Sequence, residues 1–201
     1  MAGYNIFNLS DMLSELGEDR VKSMLLEFSC PYNRDVEYFL HSKAIEFSKQ
    51  SLTQTHLVYT SYKDEPVLIG YYALCNKDIS VTNAALSNSL KKRIKKFGTY
   101  NQSLKKRIIS APLIAQFGKN YSNDYNKLIS GDELLSIACD SVREAQKIIG
   151  GKVVYLECED YYKLTEFYSN NGFVYFGKRQ LDRDETERIH GEYLVQMLKY
   201  L

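Results

Sequence analysis

The spacing of the apolar residues changes once along this chain, and that change limits the fold to one that combines helices with a sheet. Leu13, Leu16, Val21, Met24, Leu25 and Phe28 recur at helical spacing up to the break at Pro31. Asn33 is then placed to cap a second helical run through Val36, Phe39, Leu40, Ala44, Ile45 and Phe47. Residues 1–55 are therefore expected to be helices that cover a sheet. From Leu57 the pattern becomes β-branched and aromatic. Leu57–Thr60 and Val67–Leu74, separated by Lys63-Asp64-Glu65-Pro66, predict an antiparallel hairpin.

After Pro112 the alternation of strands and helices continues. Leu113–Phe117 is expected to be a strand. Ser130-Gly131-Asp132-Glu133 forms a Ser-x-x-Glu capping box opening a helix through Leu134, Leu135, Ala138, Val142, Ala145 and Ile149, which Gly150-Gly151 stops. A strand at Val153–Cys158, a helix at Tyr161–Asn170 ending near Gly172, and strands at Phe173–Phe176 and Tyr193–Leu201 complete the order. That order predicts an α/β fold: a mixed central β-sheet flanked by helices, in a single domain over 1–201. A chain of 201 residues that is 44% hydrophobic with 3 prolines can bury one sizeable core.

Several functions lose support from the same residues. The longest apolar run, Val67–Cys75, falls far short of the ~20 residues needed to cross a bilayer. Met1-Ala2-Gly3-Tyr4-Asn5 is not a basic patch leading into an apolar run, so no leader is expected and the expected compartment is the cytoplasm. Cys30, Cys75, Cys139 and Cys158 form no Cys-x-x-Cys clip, and His41, His56 and His190 are scattered, so no metal is expected and the thiols read as core residues. Neither a Walker loop nor G-x-G-x-x-G is present.

The net charge of +1 conceals a strong asymmetry. Between Asp78 and Asp124 there is no acidic residue, while that interval holds Lys91, Lys92, Arg93, Lys95, Lys96, Lys105, Lys106, Arg107 and Lys119. Residues 84–110 are read as a basic insertion. Leu86, Leu90, Ile94 and Phe97 fall on one face of a short helix whose other face is cationic. The hexapeptide Ser-Leu-Lys-Lys-Arg-Ile occurs twice, at Ser89–Ile94 and Ser103–Ile108. Lys91, Lys92, Arg93, Lys95 and Lys96 are candidates to neutralise phosphates, with Phe97 and Tyr100 placed to stack on a single-stranded end. A solvated amphipathic helix explains the same residues equally well. Docking on an anionic membrane is the weakest reading, because large aromatic anchors are missing.

A capped helix N-terminus directly after a strand offers free amides and a positive dipole end to a phosphate-bearing ligand, although Asp132 and Glu133 already use some of that potential. From Leu57 onward the pattern resembles the GNAT acetyltransferase superfamily. Leu113-Ile114-Ala115-Gln116-Phe117 resembles its central strand, which pairs with the pantetheine arm of acetyl-CoA. Asn126-Lys127-Leu128-Ile129-Ser130-Gly131 stands in the place of its pyrophosphate loop, where only the last glycine matches. Val153–Cys158, followed by Leu164-x-x-Phe167-Tyr168-x-x-x-Gly172-Phe173, is similar to the family's strand, Phe-Tyr helix and Gly-Phe turn. The resemblance implies acetyl-CoA as cosubstrate, held by Gln116, Phe117, Gly118, Lys119, Lys127, Ile129, Ser130, Gly131 and Asp132. It also implies Tyr168 as the acid that protonates the departing thiolate. Glu157 and Glu159, sharing one face of their strand, are candidates to take the amine's proton. Cys158 has no histidine near it in sequence and reads as a core thiol.

Over nearly its full length the chain also resembles the toxin acetyltransferases of the TacT type. The segments that carry this are Asp35–Ala44 before the hairpin, Ile69-Gly70-Tyr71-Tyr72-Ala73-Leu74, and the basic insertion before the central strand. The resemblance implies transfer of an acetyl group to the amino group of aminoacyl-tRNA, with an antitoxin and a homodimer as further partners. Two alternatives stay open. One is an N-acetyltransferase of a small amine, an amino sugar or a protein N-terminus. The other is a non-catalytic module that binds nucleic acid or a partner.

Overall fold

The computed structural model describes residues 3–183, 185–189 and 191–201, without the side chain of residue 83. Met1 and Ala2 of the leader reading, and His190 of the metal reading, lie outside the described residues. In chain order the elements are β1 (Asn5–Asn8), α1 (Leu9–Leu16), α2 (Glu18–Leu25), α3 (Arg34–Ser42), α4 (Ala44–Lys49), β2 (Gln54–Tyr62) and β3 (Glu65–Val81). There follow α5 (Asn88–Ile94), β4 (Gly98–Asn101), β5 (Lys106–Lys119), α6 (Gly131–Ile149), β6 (Val153–Glu159), α7 (Tyr162–Asn170), β7 (Val174–Gln180) and β8 (Tyr193–Tyr200). Hydrogen-bonded neighbours run β1-β2-β3-β5-β6-β8-β7, with β4 on β5. The β5–β6 pair is parallel and β6–β8 is antiparallel, which makes the sheet mixed as expected.

The chain divides into two compact units, one of residues up to Cys75 with Ala115–Ala138, the other of Asn76–Ile114 with Cys139–Leu201. The divisions fall inside β3, β5 and α6, each of which gives residues to both.

In the first unit, Leu9, Val21, Leu25, Val36, Phe39 and Leu40 of the helices and Phe28, just after α2, are buried with Leu57, Leu68, Tyr71 and Ala73 of the strands. Asn33 caps α3 as its spacing predicts, its side-chain oxygen accepting from the amides of Asp35 and Val36. The expected hairpin is β2–β3. Tyr62 pairs with Glu65 across a two-residue loop, Lys63-Asp64, whose φ angles of 53° and 66° match the turn that suits the strand twist. One departure is β1, an edge strand within a stretch read as helical, which pairs residue for residue with Tyr59–His56 of β2. Four residues with three exposed give no alternating signal, and the pairing partner lies about fifty residues away.

In the second unit, β8 pairs along its length with both β6 and β7; Val154, Leu156, Phe173, Phe176, Val195 and Met197 are each buried, and the Phe176 ring packs edge-on to Tyr155 of β6. The basic insertion departs from expectation in its second half. Its first half is helix α5, capped by Ser87, but β5 begins at Lys106 instead of Leu113 and β4 runs antiparallel to it. No helix of the described residues is long and apolar enough to cross a membrane.

Candidate active site

Within the first unit, a cavity of about 550 Å³ lies at the end of β5, the polar stretch after it and the first turn of α6. Of the nine residues that the sequence offers for coenzyme binding, it is lined by Lys119, Lys127, Ile129 and Ser130, and Tyr4, Asn126, Leu128 and Glu133 line it with them. Lys119 Nζ donates to the carbonyls of Asn126 at 2.9 Å and Ile129 at 3.2 Å, so a cation holds the loop by its oxygens. A trans peptide whose carbonyl faces Lys119 turns the next N–H the other way. Ile129 stands where the family pattern has a glycine. It adopts no positive φ, and its side chain is buried, so the loop needs no glycine there. Lys127 is exposed and paired with Asp124.

The capping box is present as read. The Ser130 hydroxyl accepts from the Glu133 amide at 3.1 Å, and the Glu133 carboxylate accepts from the Ser130 amide at 2.8 Å. The Ser130 amide and hydroxyl hold the Glu133 carboxyl below its ordinary range, which keeps it charged. Its other oxygen receives the Tyr4 hydroxyl at 3.2 Å, and partial burial with that carboxylate contact pushes the Tyr4 phenol up. Gly131 and Asp132 are the first two residues of α6 and do not line the cavity.

The β5 residues Gln116, Phe117 and Gly118 lie outside the cavity lining as well. Gln116 donates to Asp35 at the start of α3. A Cβ on Gly118 would lie 2.5 Å from Val36 Cγ1, so helix packing alone demands glycine here. Asn120, which the sequence did not flag, is the buried hub behind the loop. It accepts from the amides of Ser29 and Ser122 and donates to the Leu68 carbonyl at 2.9 Å. Its own amide bonds Ile69 O at 2.8 Å. Asn120 and Tyr4 act on segments 52 and 124 residues away, and no local spacing signals either.

The second unit carries the candidate chemistry. Tyr168 lies on α7, 8% exposed, edge-on to Phe167 and Phe173. Burial, with a smaller effect from Cys158, pushes its phenol well above the ordinary value, so it is a protonated donor at neutral pH. Burial likewise pushes the Cys158 thiol up to about 12, which leaves it without thiolate character. Glu157 on β6 is tied on both oxygens, to Arg179 Nε at 2.8 Å and Gln196 Nε2 at 2.8 Å. Arg179 also grips Glu185, so Glu157 belongs to a network joining β6, β7, β8 and the segment after β7. Burial raises the Glu185 carboxyl, but the Arg179 and Asp182 contacts outweigh it and leave the group below its ordinary range. Glu159 follows two residues later on the same face of β6, half-buried. Among the described residues no three His, Cys, Asp or Glu side chains converge on a metal position, and the four cysteines are free thiols.

The candidate substrate cations divide by environment. Lys92, Arg93, Lys95 and Lys96 are exposed and Lys91 is half-buried. Ile94 anchors α5 from below, Phe97 packs 6.2 Å from the Tyr200 ring, and the Arg93 guanidinium lies 5.2 Å over that ring. Arg93 and Phe97 therefore hold the helix to β8, and the four lysines remain the outward charges.

No protein-family model and no curated protein matches this chain. Solved structures do match it. AtaT complexed with acetyl-methionyl-tRNAfMet is 17% identical at a TM-score of 0.62, covering 96% of this chain and 94% of that one. A tyrosine-to-phenylalanine mutant of KacT is 15% identical at 0.61, covering 96% and 94%. A further structure, described as a bacterial toxin, is 15% identical at 0.64, covering 100% and 92%. This chain therefore has the GNAT fold. It shares that fold with AtaT and KacT over nearly the whole length of both chains.

Proposed function

We propose that this protein is an acetyl-CoA-dependent N-acetyltransferase that acetylates the amino group of aminoacyl-tRNA and acts as a toxin. The observation that carries this reading is the near-complete overlap with AtaT, which has been solved with acetyl-methionyl-tRNAfMet and with acetyl-CoA beside the C-terminus of the antitoxin AtaR. The chain's own residues support it. Acetyl-CoA supplies the acyl group as a thioester. Lys119 and the amides opening α6 neutralise its pyrophosphate, and Ala115–Gly118 of β5 offers backbone to its pantetheine arm. Tyr168 gives its proton to the sulfur as the carbon–sulfur bond breaks and the carbon–nitrogen bond forms. The proton released by the amine leaves through Glu159 or water, because Glu157 is engaged by Arg179 and Gln196. Lys91, Lys92, Lys95 and Lys96 meet RNA phosphates, with Arg93 seating their helix. On this reading the whole of 1–201 works as one GNAT domain with 84–110 as a basic insertion, in the cytoplasm, with an antitoxin and a second copy of the chain as partners.

A second reading is favoured by the packing of Arg93 and Phe97 on Tyr200, which gives the insertion a structural task. The acceptor is then a small amine, an amino sugar or a protein N-terminus. Radiolabelled acetyl-CoA offered to charged tRNA, to uncharged tRNA and to small amines separates the two. Label on charged tRNA alone supports the first reading, and label on small amines alone supports the second. Calorimetry with acetyl-CoA that shows no binding replaces both with a non-catalytic module.

A further inference from the structure

The basic segment folds into two different elements. Its helical half is anchored by the buried Ile94 and held on β8 through Phe97 and Arg93. Its second half is a hairpin of β4 and the start of β5, and this hairpin holds one aromatic ring outward. Tyr100, 40% exposed, stands directly opposite Arg107 in the register, and the Arg107 guanidinium lies over one face of its ring at 5.8 Å. Arg107 is itself seated, its Nη1 donating to Gly98 O at 2.6 Å. A Cβ at position 98 would lie 2.5 Å from Ile108 O and 2.9 Å from Arg107 Cγ, so only glycine lets the arginine cross the strand here. The turn is closed by Asn101 Oδ1 accepting from the Leu104 amide at 3.0 Å, with Lys105 at a φ of 52°. Lys105 and Lys106 carry the charge at the tip, in a sequence interval that contains no carboxylate.

We propose that this hairpin is a stacking platform for an unpaired nucleotide at a single-stranded RNA end. The Tyr100 face turned away from Arg107 takes the base, Arg107 stiffens the ring from behind, and Lys105 and Lys106 neutralise the flanking phosphates. The assignment rests on RNA being the acceptor, as proposed above, and names the element that holds its unpaired end. Phosphate neutralisation alone would need the cations and not an outward ring seated by a glycine and an arginine. Base stacking needs the ring, tolerates any base, and is distinct from the duplex contacts open to the α5 lysines.

The test uses the full chain and two labelled RNA stems, one with a short single-stranded 3′ tail and one blunt, read by fluorescence anisotropy. Tyr100→Ala is expected to weaken the tailed stem by roughly 5- to 100-fold and leave the blunt stem unchanged, while Tyr100→Phe binds both as the parent does. Tyr100→Leu keeps apolar bulk without a π face, so it too should lose tail binding, even if the alanine variant loosens the hairpin. Equal binding of the tailed stem by the leucine variant and the parent overturns the platform, as does an equal loss on both stems. Competition by an acidic peptide that depends on Tyr100, with no RNA binding by the parent, replaces RNA with a protein partner. A parent that acetylates charged tRNA beside an equally active Tyr100→Leu variant removes the platform and leaves the enzyme reading standing. A parent that binds neither stem and acetylates only small amines removes both.

Discussion

Tyr168 has a single protonation state over the working range because its hydroxyl-bearing ring is buried between Phe167 and Phe173. Tyr168→Phe keeps the ring and removes the proton, so turnover should fall by roughly one to three orders of magnitude with acetyl-CoA affinity little changed; steady-state rates and calorimetry check this. Because burial raises this phenol, rates should not decline through tyrosine ionisation below about pH 10. An alkaline limb near neutrality that disappears in Tyr168→Phe would contradict the assignment. Asn120 bears on the cavity of the first unit through packing. Asn120→Ala leaves the Ser29 and Ser122 amides and the Leu68 carbonyl without their partner, which should cost about 2–4 kcal/mol in urea unfolding and weaken coenzyme binding as the loop relaxes. The helix and turn that carry Tyr168 were legible in the sequence because their motif is contiguous over Leu164–Phe173. Asn120 was not, because its partners come from three separate segments.

The first turn of α6 can be tested by subtraction. Proline is tolerated at the first position of a helix, so Gly131→Pro should fold normally while removing one of the free amides that open α6, next to the cavity-lining Ser130. Acetyl-CoA affinity should drop, and unchanged affinity in a folded variant would move the pyrophosphate elsewhere. Helix α5 admits the opposite kind of test, by charge. Replacing Lys91, Lys92, Lys95 and Lys96 with glutamine should flatten the salt dependence of tRNA affinity, whose log–log slope is about −0.7 to −0.9 per phosphate contacted. Acetyl-CoA binding should be untouched. Arg93→Gln should instead lower the melting temperature, because its guanidinium is seated on Tyr200.

Stability against pH follows from three buried phenols, Tyr59, Tyr71 and Tyr168. Burial pushes Tyr59 up to about 12, and holds Tyr71 and Tyr168 well above the ordinary value. In the unfolded chain each titrates near 10, so the folded state keeps its full advantage below about pH 10 and loses it progressively as pH rises toward the folded values. The thiols of Cys30, Cys139 and Cys158, also raised by burial, add a loss that begins at about pH 8.5. Melting temperatures should therefore stay level from neutrality to about pH 8, decline, and fall more steeply above about pH 10, with ionisation of these three tyrosines appearing only on unfolding. Local signals alone carried much of the architecture. The Asn33 cap, the β2–β3 hairpin, the Ser130–Glu133 capping box and the α7 motif all depend on neighbours a few residues apart, so composition and spacing suffice to specify them. Strand β1 and the Arg179–Glu157 contact depend on partners far along the chain, whereas the extension of β5 back to Lys106 is set by pairing with the nearby β4. The two copies of Ser-Leu-Lys-Lys-Arg-Ile make the distinction within one molecule. At Ser89–Ile94 the sequence is helix, capped by Ser87 and anchored by a buried Ile94, whereas at Ser103–Ile108 it is a turn running into a strand paired with β4. Identical residues have identical local preferences. Burial and strand pairing, each larger than the few tenths of a kcal/mol that separate such preferences, selected a different backbone at each place.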